Sequence, residues 1–66
     1  MTITINGKPR EIDAPLAIAE LLAELGLAGK PVVVELNREP VLPAEHATTM
    51  VEAGAEIEIV TLAAGG

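Results

Sequence analysis

The chain has 66 residues, of which ten are acidic and four basic, giving a formal charge of −6, and it contains neither cysteine nor any aromatic residue. That length allows one domain with a modest core, close to the size at which folding alone becomes marginal. The missing cysteines exclude disulfides, thiolate metal sites and thiol catalysis, while an acidic surface without aromatic rings argues against binding phosphate backbones or stacking bases. With half of the residues hydrophobic, the interior has to be built from Ile, Leu, Val and Ala. Met1 is followed by alternating Thr and Ile, not by a basic stretch and an apolar run. No apolar segment approaches the roughly 20 residues that span a bilayer. The chain reads as soluble and cytoplasmic, with no membrane association and a basic protein as its natural partner.

Thr2 to Ile5 alternates polar and β-branched residues, and Asn6-Gly7 is the strongest short signal for a two-residue hairpin. A second strand is expected at about Pro9 to Asp13. From Ala17 the period changes: Ile18, Leu21, Leu22 and Leu25 form one helical stripe. The predicted helix starts within two or three residues of Leu16 and stops at Gly26. Glu20 and Glu24 fall on its other side, four apart with no Lys to pair with, and read as a solvated acidic face. Val32 to Leu36 is an almost continuous apolar run suited to an interior strand, closed by Asn37, which tolerates left-handed backbone angles. A short strand is expected around Val41-Leu42. Ala44 to Val51 carries no clear periodicity, Glu52 to Ala55 reads as a turn, and Glu56 to Thr61 alternates Glu and Ile like a strand with one buried face.

The order is therefore strand, strand, helix, strand, short strand, strand and tail, without repeat or linker. A single helix can cover only one face of the sheet that such an order builds. The expected fold is α+β, a β-grasp or ubiquitin-like mixed sheet: residues 1–61 form the domain and residues 62–66 a flexible tail. Ile3, Ile5, Val32, Val34, Leu36, Ile57 and Ile59 should face the helix. Thr2, Thr4, Val33, Glu35, Glu58 and Val60 should line the open face.

Side-chain chemistry is sparse. His46 is the single imidazole, with no acidic or nucleophilic residue at a triad or metal-site spacing, and it reads as a solvated loop residue. Met50 reads as core filler. Gly7, Gly26, Gly29 and Gly54 are scattered at turns and form no phosphate-binding pattern. The chemistry falls instead to the terminal Gly65-Gly66. Glycine has no Cβ, so such a tail can enter a narrow channel in another protein. Leu62 to Gly66 carry no charged side chain and, fully extended, reach roughly 16 to 18 Å, enough to thread a buried active site while the body stays outside. Glu35 and Glu58, with Val33, Val60 and Leu62 as apolar contacts, would suit a partner with a basic rim and a hydrophobic centre.

The opening "ITINGKPRE", the helix "IAELLAELGL", the strand and turn "VVVELNREPV" and the closing "GAEIEIVTLAAGG" resemble the ThiS family, the small sulfur carriers of thiamin thiazole synthesis, over the whole length. Two positions depart from the family pattern. Gly54 is followed by Ala55 where Gly-Asp is common, and Ala17 stands where a Thr or Ser often caps the helix.

The resemblance implies that Gly66 is the reactive residue, adenylated at its carboxylate and then converted to a thiocarboxylate, with Ala64 and Gly65 giving access. It implies a protein co-substrate, not an enzyme, monomeric on its own and holding no cofactor or metal. ATP and Mg would be used by a ThiF-type adenylyltransferase, a separate system would donate sulfur, and a ThiG-type thiazole synthase would receive it. Carriers for molybdopterin or transfer RNA thiolation, and ubiquitin-like modifiers, share the tail and stand as alternatives.

Overall fold

The computed structural model describes residues 1–62. Strands β1 (Thr2–Ile5) and β2 (Lys8–Glu11) form the opening hairpin, with Asn6 and Gly7 at φ of 51° and 79°. These left-handed values make the turn whose twist matches that of the strands it joins. Because only two residues lie in the turn, Lys8 sits opposite Ile5, so β2 starts before the expected Pro9. It ends at Glu11, and Ile12 then turns into the core.

A two-residue strand β3 (Leu16–Ala17) leads into helix α1 (Ile18–Glu24). Ala17 has no side-chain oxygen to cap the helix. The Glu20 carboxylate instead accepts the Ala17 N–H at 2.8 Å, which is the acidic half of a capping box. The carbonyls of Thr49 and His46 accept the N–H groups of Ile18 and Ala19 at 2.9 and 2.8 Å. Glu24 lies 3.6 Å from Arg10 of β2, a half-exposed pair worth less than about 1 kcal/mol. The two carboxylates expected to form an idle solvated face thus have separate partners. Replacing Glu20 with Ala should cost about 0.5–1 kcal/mol and lower the melting temperature by about 3–6 °C; an unchanged melting curve would show that the loop carbonyls suffice.

The helix closes as its sequence predicts. Gly26 has φ of 75°, and the N–H groups of Gly26 and Leu27 bond the carbonyls of Ala23 and Leu22, a Schellman closure. Strands β4 (Val32–Leu36) and β5 (Glu39–Val41) follow, joined by Asn37 and Arg38, both left-handed at 51° and 69°. That second two-residue turn moves β5 toward the amino terminus of its expected place at Val41-Leu42.

The stretch that carried no periodicity contains a 3-10 turn at Pro43–Glu45 and strand β6 (Met50–Val51), which pairs with β3. In β6 Val51 takes the inward position and is fully buried, so Met50 is left 47% exposed. Met50 is therefore not core filler.

Strand β7 (Glu56–Thr61) inserts between β1, to which it is parallel, and β4, to which it is antiparallel. The sheet order is β2-β1-β7-β4-β5. Ile3, Val34, Ile57 and Ile59 are buried with Ile18, Leu21 and Leu22 of the helix, and Ile5, Val32 and Leu36 pack against that core. The predicted inward set is the observed one. Among the described residues no helix is long and apolar enough to cross a membrane.

Candidate functional site

The carboxy-terminal segment leaves from the end of β7, and its root is fixed by backbone bonds. Thr61 pairs with Val32, and the Leu62 N–H donates to the Pro31 carbonyl at 2.9 Å. Asn6 adds a side-chain clamp: its amide accepts the Ile59 N–H at 2.8 Å and donates to the Ile59 carbonyl at 3.1 Å. The turn residue that shapes the first hairpin thus also holds the last strand close to where the tail begins. Asn37 does the same at the other end, its Oδ1 accepting the Glu56 N–H at 2.9 Å. These side-chain roles span 53 and 19 residues of sequence, beyond the reach of local pattern.

On the open face the structure brings together the residues singled out from sequence. Val33 of β4 lies directly opposite Val60 of β7, and Glu35 directly opposite Glu58. Leu62 continues the alternation of Glu58 and Val60 and is half exposed. One residue was missed. Leu42 follows Val41, which faces the core opposite Val34, and its extended backbone (φ −72°, ψ 150°) turns its side chain outward. At 61% exposure it is the most exposed large hydrophobic residue described. The sequence signal was partial, since a strand through Val41 and Leu42 turns one of the two outward without saying which.

The face therefore divides into two zones. Near the tail root Leu42, Val33, Val60 and Leu62 supply an apolar strip. Farther along β7, Glu35, Glu56 and Glu58 line a shallow depression of about 160 Å³ together with Thr4 and Arg38. Like charges directly opposite across a ladder repel and destabilise the sheet, so a cationic surface placed over Glu35 and Glu58 would relieve that repulsion. Ala64, Gly65 and Gly66 lie outside the described residues.

His46 is not the solvated loop residue expected. Its ring is partly buried, with Nε2 3.3 Å from the Val41 carbonyl, because the 3-10 turn folds this loop beneath the start of α1. Among the described residues no three His, Asp or Glu side chains converge as metal ligands would.

A five-stranded mixed sheet crossed on one face by a helix, with its central strand leading into the carboxy-terminal segment, is a β-grasp domain of the ubiquitin-like class. Within that class the ThiS family model matches residues 3–66, and the chain belongs to the ThiS family. A crystal structure of a thiamine biosynthesis protein (ThiS) from Geobacter metallireducens superposes with a TM-score of 0.86 at 36% identity, covering 100% of both chains. The solution structure of a thiamine biosynthesis protein from the same organism gives 0.81, covering 88% of that chain. A thiazole synthase of Paramagnetospirillum magneticum is 38% identical over 66 residues; the chain spans 20% of that relative's length.

Proposed function

We propose that this protein is a cytoplasmic sulfur carrier whose Gly66 carboxylate is adenylated, converted to a thiocarboxylate and discharged into thiazole formation in thiamin biosynthesis. The observation that carries the reading is the family match running through residue 66, so that the likeness includes the Gly65-Gly66 pair. The thiazole synthase that carries a segment similar to this chain supports pairing carrier with synthase.

The chemistry requires partners. A carboxylate is a poor electrophile, since its charge is delocalised over two oxygens. A carboxylate oxygen of Gly66 attacks the α-phosphorus of ATP in a ThiF-type adenylyltransferase and expels pyrophosphate. A sulfur nucleophile at the sulfide oxidation level, delivered by a donor system, then attacks the acyl carbon. AMP leaves with the original oxygen, and a C–S bond remains. The carrier contributes no catalytic side chain and no cofactor of its own; ATP and Mg belong to the activating enzyme. It contributes a slender end on a rigid root, and a body to be gripped. The apolar strip of Leu42, Val33, Val60 and Leu62 would form the desolvated centre of that contact and Glu35 with Glu58 its charged rim.

Incubation with ATP, Mg, the activating enzyme and a sulfur source should raise the intact mass by about 16 Da, one oxygen exchanged for sulfur. Addition of thiazole synthase and its substrates should return the mass to its starting value. No mass gain would overturn the carrier reading, and lysine conjugates would indicate a modifier. A stable thiocarboxylate that discharges only onto transfer RNA or a molybdopterin precursor would keep the carrier and replace the acceptor.

A further inference from the structure

The root of the tail is flanked by a second surface of opposite character. On the helix side of the sheet a groove of about 470 Å³ opens between the end of α1, the start of β4 and the 3-10 turn. Leu22, Leu27, Val32 and Pro43 form apolar walls, and among the described residues Lys30 and His46 are the ionisable groups that line it and no Asp or Glu does. In a chain with ten acidic side chains and four Lys or Arg, that local balance is unusual. Pro31, whose carbonyl holds Leu62, also borders the groove. Consecutive residues of β4 therefore serve two surfaces: Val32 faces the groove, and Val33 joins the exposed strip on the other side.

We propose that this groove is a second docking surface, used by the enzyme that takes the sulfur from the tail, and that it receives an apolar projection flanked by carboxylates. The inference rests on the carrier reading above. Two enzymes must each take the same tail in turn, once to activate it and once to discharge it. The acidic open face suits the activating enzyme, because a site built to hold ATP presents positive potential. The groove fits the opposite kind of partner, one whose acidic rim is attracted by Lys30 and repelled by Glu35 and Glu58. Charge then sorts the two encounters. Both grips lie beside the tail root, so either enzyme gains access to Gly66 without competing for the same side chains.

Lys30 is exposed, so Lys30→Glu reverses the groove's charge while leaving the core intact. Val60→Asp is the matching change on the open face. With the wild-type thiocarboxylate as reference, Lys30→Glu should raise the carrier concentration that half-saturates discharge onto thiazole synthase by at least about tenfold. It should leave the concentration that half-saturates pyrophosphate exchange with the activating enzyme within about twofold, while Val60→Asp shows the reverse pattern. Amide resonances of Leu27, Lys30 and Val32 should shift when unlabelled synthase is added. The proposal is overturned if Lys30→Glu leaves discharge unchanged, if it weakens both steps alike, or if synthase shifts only residues of the open face. Failure of the wild-type protein to acquire the thiocarboxylate mass would instead remove the carrier reading, and this inference with it.

Discussion

Deleting Gly66, or replacing it with Val, should lower adenylation by more than about 100-fold and leave the melting temperature unchanged. The first effect is steric and positional. A β-branched side chain at the reacting residue would meet the walls of any channel narrow enough to admit Gly-Gly, and a one-residue deletion withdraws the carboxylate by about 3.3–3.6 Å. The second effect follows from the core, whose described members all lie at or before Ile59. Pyrophosphate exchange measures the first and thermal unfolding the second. A truncated chain that still formed an acyl-adenylate would show that the reactive group lies elsewhere.

Replacing Ile57 with Ala should have the opposite profile: a global loss of structure with the tail untouched. Ile57 is 1% exposed and pairs with Ile5 on one side and Leu36 on the other. Removing three carbons there should cost about 3–4 kcal/mol, against a total stability of about 3–5 kcal/mol for a domain this small with neither disulfide nor metal. The variant should be largely unfolded at 37 °C by circular dichroism, whereas Ile57→Val should lose only about 1 kcal/mol and stay folded. A midpoint only a few degrees below wild type for the Ala variant would mean that the core can collapse around the cavity. Sulfur loading should track the folded fraction in both variants, separating a damaged handle from a damaged tail.

The architecture was legible wherever one residue type repeats with one period. Ile3 and Ile5, the Val32 to Leu36 run and the Glu-Ile alternation of β7 each have a buried face that leaves a two-residue rhythm, and Ile18, Leu21, Leu22 and Leu25 leave a helical one. Asn6-Gly7 fixed a turn on its own chemistry. The pairing of β3 with β6 was not legible, because two residues are too few to show a period and their partners lie 33 to 35 positions away. Separation in sequence, if shorter, also hid the capping of α1 by the carbonyls of His46 and Thr49 and the contact of Arg10 with Glu24. On the open face, alternation alone placed Val33, Glu35, Glu58 and Val60 correctly. Leu42 was missed because β5 was placed one or two residues late, which obscured which of Val41 and Leu42 turns inward. The helix-side groove draws on three separate segments and had no signature in any of them.

The position of β7 also bears on how the protein is made. Its last strand is the middle strand of the sheet, and its parallel partner is the first strand, 52 residues earlier between Thr4 and Glu56. Closing so long a loop is slow, because its entropy must be paid before the pairing of β1 with β7 rewards it. An emerging polypeptide that lacks β7 has neither a complete sheet nor an open face, since Val60 and Glu58 are part of both. The open face therefore exists only in chains that contain β7, because Glu58 and Val60 complete it opposite Glu35 and Val33, and a chain lacking that strand would offer the activating enzyme proposed above nothing to grip.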